Sequence, residues 1–164
     1  NHLDGIITPH LAPWTRVLKN ILKVGSAQKR KLFVTRNNAK TRKLLNAEKL
    51  MIALKGWETI TLEELPIKEQ VRCFSEASHV VSTHGAGLTN LLWCEPGTKV
   101  IEIQDPGMLH KKVYPVLSHH LKLKHEVYLG TVVPIPGEKP KGVKRKSDLI
   151  NLTVNISDLI RHID

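Results

Sequence analysis

Two glycines and a histidine separate two apolar segments in VVSTHGAGLTNLLWCEPGTKVIEI, residues 80–103. Gly85 and Gly87 have no side chains, so the backbone around Ala86 can turn sharply and approach a ligand closely. A helix that begins near Gly87 also presents unpaired N–H groups and the positive end of its dipole. Together these features predict a binding site for a phosphate group. The alternative is a tight strand–helix turn that serves only close packing.

Polar side chains flank these glycines. Thr89 and Asn90, in the first turn of the predicted helix, add a hydroxyl and an amide on the same side. His84 is suited to donate a hydrogen bond to a diphosphate or to act as an acid or base near neutral pH. It is equally suited to be a satisfied histidine at a strand end. His119 and His120 are adjacent and point apart on a helix, so the sequence predicts no histidine-rich metal site.

Cationic side chains gather around the end of an earlier apolar segment, KLFVTR. Arg36 ends this segment, and a guanidinium there is suited to clamp a phosphate with two hydrogen bonds. The alternative is a surface arginine in a loop. Lys40 and Arg42 fall in the first turn of the next predicted helix, where the dipole disfavours cations. Their position is explained by a bound anion or, equally well, by a solvated helix face.

A carboxylate interrupts the apolar segment VIEI. Glu102 lies in a predicted strand that is otherwise suited to burial, and a buried carboxylate is costly unless it accepts hydrogen bonds. The hydroxyls of a ribose would be good donors to it. An internal salt bridge is the competing interpretation.

Strand-like and helix-like segments alternate along the chain. The predicted strands are residues 31–36, 58–65, 79–83, 99–104, 125–130 and 151–156, and the predicted helices are residues 13–24, 37–57, 66–78, 108–123 and 157–164, with a short helix after Gly87. This alternation predicts an α/β fold with a Rossmann-like, doubly wound, mostly parallel sheet. Ligands of such sheets bind beyond the carboxyl ends of the strands, so Arg36 and His84 are expected at the same edge.

Composition adds a preference for anionic partners. The chain has 164 residues, enough for one domain, and a net charge of +10. Five lysines and arginines lie in residues 137–146, which are predicted to form a mobile, solvated loop. No apolar run is long enough to span a membrane, no signal peptide is expected within these residues, and the first residue is Asn1 and not Met. We interpret the chain as a piece of something longer, so the missing targeting segment indicates little about its compartment.

Several segments of the sequence resemble a known family. HGAGLTNLLWCEPGTKVIEI closely resembles the signature of family 61 glycosyltransferases, in which a His-Gly-Ala-Gly-Leu-Thr-Asn motif precedes a Pro-Gly turn and an apolar strand with a glutamate. The preceding PIKEQVRCFSEASHVVST, with Gln70 and Ala77, is similar as well. VTRNNAKTRKLLNAEKL resembles the family's upstream block through Arg36, Arg42 and Asn46. The tail NLTVNISDLIRHID resembles its closing strand and helix.

The resemblance implies an inverting glycosyltransferase of the two-Rossmann-domain (GT-B) architecture that uses a nucleotide sugar, such as UDP-N-acetylglucosamine, UDP-xylose or UDP-arabinose. It implies a glycan or protein acceptor and no metal or other cofactor. The implied compartment is the Golgi or endoplasmic reticulum for a eukaryotic protein and the cytoplasm for a bacterial one. Carried onto this sequence, the donor site consists of Arg36, Arg42, His84, Gly85, Ala86, Gly87, Thr89, Asn90 and Glu102, with His84 as the candidate catalytic residue.

This architecture needs two Rossmann-like domains, and the chain supplies one. Residues 31–164 are predicted to be the donor-binding domain and residues 1–30 an interdomain helical segment. The missing N-terminal domain would contribute acceptor contacts and often the catalytic base, so the isolated chain is expected to bind donor weakly and to transfer little or no sugar. A basic Rossmann-like module that binds nucleic acid or acidic glycan, and a catalytically inactive scaffold, are the alternatives.

Overall fold

Five parallel strands form the main sheet of the computed structural model, which describes residues 11–22, 24, 29–36, 38–137 and 149–163. The strands are β1 (Arg30–Thr35), β2 (Glu58–Thr61), β3 (Ala77–Thr83), β4 (Lys99–Gln104) and β5 (Lys124–Leu129). They lie in the order β2-β1-β3-β4-β5. This arrangement confirms the predicted α/β, Rossmann-like, doubly wound fold.

Helices cover both faces of the sheet. The α-helices are α1 (Leu11–Leu22), α2 (Ala47–Ala53), α3 (Ile67–Ser75), α4 (Val113–His120) and α5 (Ile156–Ile163), and 3-10 helices span Leu62–Glu64, Ala86–Trp93 and Pro106–Met108. One hydrophobic cluster joins the sheet to α3, α4 and the 3-10 helix Ala86–Trp93. A second cluster joins the opposite face to α2 and α5.

The strands alternate between these two clusters because successive side chains of a strand point to opposite faces. Val80 packs in the first cluster and its neighbour Val81 in the second, and both are fully buried. Phe33, Val81 and Ile101 lie side by side across β1, β3 and β4, all in the second cluster. Strands buried on both faces read as continuous apolar runs, which explains why KLFV and HVVS lack polar alternation.

The chain's last strand does not join the main sheet, so the prediction that it does was wrong. β7 (Ile150–Thr153) pairs antiparallel with β6 (Thr131–Pro134), a strand that the sequence did not reveal. Parallel strands need a long crossover, usually helical, and no helix was predicted between β5 and β7. The predicted basic loop, residues 137–146, falls almost entirely on residues 138–148, which are outside the described part of the chain.

The helix predicted over residues 37–57 is also corrected: α2 begins only at Ala47. The segment before it pairs with β7 instead, because the Arg42 amide donates to the Ile150 carbonyl at 2.6 Å and the Leu45 amide to the Leu152 carbonyl at 2.8 Å. Arg42 adopts a left-handed conformation, with φ of 58°. Lys40 and Arg42 therefore lie in a loop and not in a first helical turn.

Two helix faces differ from those that helical spacing predicts. The spacing predicts one buried face with Leu44, Ala47, Met51 and Leu54, and another with Ile67, Val71, Phe74 and Ser78. Because α2 starts at Ala47, the residue one turn further on its buried face is Leu50, and Met51 is 38% exposed. On α3, Val71 and Phe74 are buried as predicted, whereas Ile67 is 67% exposed. Ser78, assigned to the same helical stripe, belongs to β3.

The helix predicted near the start of the chain is confirmed as α1, although its apolar stripe faces outward. Trp14, Val17, Leu18 and Ile21 follow helical spacing and are between 42% and 68% exposed. Lys19 connects α1 to the rest of the domain, because its Nζ lies 2.6 Å from Oε1 of Glu95. Residues 1–10 are outside the described part. The interdomain role of residues 1–30 stays a prediction.

Candidate functional site

The strand order creates a crevice at the carboxyl ends of β1 and β3. The connection after β1 leads over one face to β2, and the connection after β3 leads over the other face to β4. In doubly wound sheets, ligands bind where neighbouring connections diverge in this way. The crevice is lined by Val34, Thr35, Arg36, Leu62, Glu63, Ser82, Thr83, Ala86 and Gly87.

Arg36 and the His84–Gly87 motif meet directly at this crevice, as the sequence predicted. The Arg36 guanidinium donates through Nη1 to the His84 carbonyl at 2.6 Å. It also lies against Gly85: a Cβ added to that glycine would be 1.9 Å from Nη1. Gly85 is therefore required for contact with Arg36, and the extended backbone there would suit any residue.

The two glycines of the motif predict different mutant phenotypes. Gly85→Ala should displace only the flexible end of Arg36, so we expect a weakened anion site with a small change in stability. Gly87→Ala would place a Cβ 2.7 Å from Cδ1 of buried Leu62, and such overpacking costs about 1–3 kcal/mol. Urea unfolding and UDP titration of both variants check this. Equal stability losses would contradict the assignment.

Arg36 lines the crevice, and a second cation, Arg42, lies close enough to Arg36 to affect its charge. Burial lowers the pKa of Arg36, and the nearby positive charge of Arg42 lowers it further, which outweighs the opposite influence of Glu63 and Tyr114. Within the described residues, neither arginine forms a salt bridge with a carboxylate. Arg42 Nε is buried without a hydrogen-bond partner in that part of the chain, as is Oγ1 of Thr83 at the end of β3. Two like charges held together in this way favour a bound anion.

Thr89 and Asn90, which the sequence predicted to lie beside the bound phosphate, make contacts that hold the 3-10 helix after Gly85 in place. Nδ2 of Asn90 donates to Oε1 of Gln70 at 3.2 Å and to the Gly87 carbonyl at 3.3 Å. Gln70 in turn donates to the carbonyls of residues 62 and 65 at 2.9 Å. Thr89 hydrogen-bonds the Tyr114 hydroxyl, whose pKa is nevertheless raised by burial. Ala86 and Gly87, the first two residues of this helix, line the crevice, and the Leu88 amide donates to the Gly85 carbonyl at 3.0 Å.

Glu102 has partners inside the protein. It is 0% exposed, and its two carboxylate oxygens contact Nδ1 of His84 and, at 3.0 Å, Nε2 of His125. Burial acts to raise the pKa of Glu102, but the hydrogen bonds from His125 and His84 together lower it below its ordinary value. The internal ion pair, one of two interpretations of Glu102, is therefore present. Contact with a ribose stays a prediction.

Three residues of this region were missed by sequence reasoning: Tyr114, Ser118 and His125. Tyr114 packs edge-on against His84, with ring centroids 5.3 Å apart, and Ser118 Oγ lies 2.7 Å from Nδ1 of His125. Tyr114 and Ser118 are four residues apart on one face of α4, so a serine at a core position of that helix was the available signal. His125 reaches Glu102 because β4 pairs with β5, and the sequence contains no local pattern that predicts this contact.

In the part of the chain that the structure describes, no group of three or more His, Cys, Asp or Glu residues is arranged to hold a metal ion.

A larger cleft lies between α1 and the amino ends of β4 and β5, lined by residues 15–16, 19, 94–96 and 120–122. It contains none of the predicted site residues. The crevice between β1 and β3 is therefore the candidate site.

Comparison with known proteins gives the family of the chain. The model of the glycosyltransferase 61 family matches residues 4–101 of the chain. The chain belongs to glycosyltransferase family 61. It is also 31% identical over 124 residues to the protein described as beta-1,2-xylosyltransferase RCN11 from Oryza sativa subsp. japonica. That match covers 70% of this chain and 21% of the rice protein, so the family 61 chain corresponds to about a fifth of its relative's length.

The family match includes both parts of the candidate site. Arg36 and the His84–Gly87 motif fall within residues 4–101, together with α1 and α3. Glu102 and the residues of α4 and β5 that contact it lie just beyond the matched range. Among the described helices of the family 61 chain, none has both the length and the apolar character needed to cross a membrane.

Proposed function

We propose that this chain binds a UDP-sugar at the crevice between β1 and β3, as the donor-binding part of an inverting glycosyltransferase. The observation that carries the proposal is the pair Arg36 and Arg42, two neighbouring guanidinium groups without a carboxylate partner among the described residues. A diphosphate supplies the missing negative charge and accepts several hydrogen bonds at once. A neutral sugar alone would leave the two cations unpaired.

The surroundings of the two arginines fit the rest of such a donor. Amides at the start of the 3-10 helix Ala86–Trp93 are further donors for phosphate oxygens. The positive end of the helix dipole attracts the same negative charge. Gly85 and Gly87 allow the ligand to approach the backbone. With two guanidinium groups and these amides, the diphosphate charge can be neutralised without a metal ion, so we propose metal-independent binding.

The relative's name directs the choice of sugar. The rice protein is described as a beta-1,2-xylosyltransferase, and UDP-xylose is among the donors that the family resemblance implies. We therefore propose UDP-xylose as the first donor to test, with UDP-N-acetylglucosamine and UDP-arabinose as competitors. A site that binds UDP-xylose but has no room for the N-acetyl group of UDP-N-acetylglucosamine would distinguish these two donors.

We propose that sugar transfer needs a second domain in addition to this chain. In a GT-B enzyme the acceptor and often the catalytic base come from a second Rossmann-like domain, and the chain corresponds to about a fifth of its rice relative. We therefore expect the isolated chain to bind donor and to transfer little or no sugar to a glycan or protein acceptor. We also propose that the whole protein, if eukaryotic, resides in the Golgi or endoplasmic reticulum.

Titration of the ¹⁵N-labelled chain with UDP tests donor binding directly. We expect saturable amide shifts at Arg36 and residues 84–90, with a dissociation constant of about 1 mM or tighter, which corresponds to about −4 kcal/mol. Uridine lacks the diphosphate and should cause almost no shifts, and ADP should bind more weakly than UDP.

Two results would overturn the proposal. One is the absence of shifts at millimolar UDP. The other is a diffuse response of residues 139–146 that is equal for all polyanions and is erased by salt, since phosphate contacts of that kind are screened steeply. The second result would establish the alternative function, a basic module that binds nucleic acid or acidic glycan.

A further inference from the structure

A buried chain of hydrogen bonds runs from α4 through β5 and β4 to His84. Ser118 Oγ lies 2.7 Å from Nδ1 of His125, Nε2 of His125 lies 3.0 Å from one oxygen of Glu102, and the other oxygen contacts Nδ1 of His84. The side chains of Glu102, His125 and His84 are 0%, 5% and 10% exposed. We call these four residues the relay.

The chemistry of the relay determines where its protons are. A carboxylate only accepts hydrogen bonds, so both histidine nitrogens that contact Glu102 must donate to it. In neutral His125 the other nitrogen, Nδ1, then has a lone pair, and the Ser118 hydroxyl donates to it. In His84 the proton on Nδ1 is held by Glu102, and the group that extends away from the relay is Nε2.

The ring of His84 is also fixed from its other sides. Tyr114 packs against it edge-on, and the Gln104 side chain packs beside Nδ1, with its amide nitrogen 3.3 Å away; this is a packing contact, because Nδ1 donates its proton to Glu102 and does not accept from Gln104. The His84 amide donates to the Ile103 carbonyl at 2.8 Å, and its carbonyl accepts from Arg36. Ring and backbone are therefore set relative to the guanidinium that is proposed to bind the diphosphate. No residue of the described part is recorded as a partner of Nε2.

We propose that Glu102, His125 and Ser118 are positioning residues that hold His84 with Nε2 directed at the leaving diphosphate of the donor. This inference rests on the proposed function and deepens it, because it chooses between the roles that His84 is suited to play. A base that activates the acceptor must stand on the face of the sugar opposite the diphosphate. The His84 carbonyl accepts from Arg36, so this residue adjoins the guanidinium that is proposed to bind the diphosphate. Because Nδ1 already donates to Glu102, Nε2 donates to the diphosphate in the imidazolium form, in which both nitrogens carry protons.

His125 and Ser118 matter in this arrangement because they hold the second oxygen of Glu102. A carboxylate that is bonded through one oxygen only can rotate, and the imidazole bonded to the first oxygen would rotate with it. The second histidine removes that freedom, and the Ser118 hydroxyl, which donates to Nδ1 of His125, holds the ring of the second histidine in place. Orientation through outer partners of this kind is a common means of presenting an imidazole to its ligand.

The test compares two replacements of His125 in the full chain. His125→Leu removes the donor to Glu102, whereas His125→Gln keeps an amide that can donate to it. His120→Gln is the matched control, because His120 is an exposed histidine on α4. The first readout is the ring ¹⁵N and ¹H spectrum of His84 without ligand. The second is the dissociation constant for UDP, with thermal melting to establish that each variant is folded at the measuring temperature.

In the wild-type chain we expect the His84 proton on Nδ1, visible as a downfield, slowly exchanging resonance. His125→Leu should lose that resonance to solvent exchange and bind UDP about three- to tenfold more weakly, a fraction of the effect of a full charged hydrogen bond. Ser118→Ala should shift both readouts in the same direction by less. His125→Gln and His120→Gln should stay within about twofold of the wild type.

The outcomes separate this inference from the proposed function. If the wild-type chain binds UDP and His125→Leu changes neither the resonance nor the affinity, the relay is overturned and the donor site stands. A His84 proton on Nε2 instead of Nδ1 in the neutral wild-type ring also overturns the relay. If the wild-type chain does not bind UDP at all, the proposed function falls, and the inferred purpose of the relay falls with it.

Discussion

Arg36→Met is expected to weaken UDP binding strongly and to leave the stability of the fold almost unchanged. Hydrogen bonds to charged groups contribute about 1.5–3 kcal/mol each, so loss of one such bond should weaken UDP binding by about 10- to 150-fold. The amide shifts at residues 84–90 would then disappear at UDP concentrations that saturate the wild-type chain.

The unchanged stability follows from the position of the charge. The lowered pKa of Arg36 means that burial and the nearby Arg42 disfavour its charged form in the folded chain. Methionine keeps much of the packing and removes that charge, which offsets the lost hydrogen bond to the His84 carbonyl. A site built for an anion is expected to combine a large loss of binding with a small change in unfolding free energy.

Arg161→Met is the matched control. The Arg161 side chain is 73% exposed on α5 and pairs with Asp158 one helical turn away, at 2.8 Å, so both UDP affinity and stability should stay near wild-type values. If Arg36→Met unfolds the chain, or if Arg161→Met weakens UDP binding as much, then Arg36 is a structural residue or binding is non-specific. Urea unfolding at two salt concentrations distinguishes these results.

Glu102→Leu is expected to produce the opposite pattern, a large loss of stability. The substitution leaves two buried imidazole N–H groups without an acceptor, and removal of one partner from a buried polar pair costs about 3 kcal/mol or more. For a chain of this size, that corresponds to a fall in melting temperature of about 6–12 °C. Glu102→Gln, which keeps one acceptor oxygen, should lose about half as much.

The loss should depend on pH in a defined direction. The pKa of Glu102 is lowered in the folded chain, from a value of 4.5, so its carboxylate stabilises the fold above about pH 4.5. That contribution is lost as pH falls through the lowered pKa. The difference in unfolding free energy between wild type and Glu102→Leu should therefore be full at pH 7 and should narrow below pH 4.5.

Glu126→Leu is the control for this experiment, because Glu126 is exposed on β5 and points away from the relay. It should change the unfolding free energy by less than about 0.5 kcal/mol, as most surface substitutions do. A difference between wild type and Glu102→Leu that stays constant down to pH 3 would mean that the effect of Glu102 lies in packing and not in its charge.

The sequence by itself determined the layers of the main sheet and the place of the candidate site. Continuous apolar runs such as those around Phe33 and Val81 indicate strands buried on both faces, and the alternation of strands with helices requires parallel pairing. Parallel strands present their carboxyl ends at one edge. For this reason Arg36 and the His84–Gly87 motif could be placed together from their positions in the chain, and the resemblance to family 61 could be stated from local motifs.

Only the tertiary structure decided what these residues contact. The segment around Arg42 has a helical pattern, yet its amides pair with β7, more than a hundred residues later in the chain, and this pairing brings a second guanidinium next to Arg36. The register of β4 with β5 likewise brings His125 to Glu102. Both outcomes depend on hydrogen bonds between residues distant in sequence. Local propensity and periodicity carry no information about such partners, and those partners give this site its charge and its geometry.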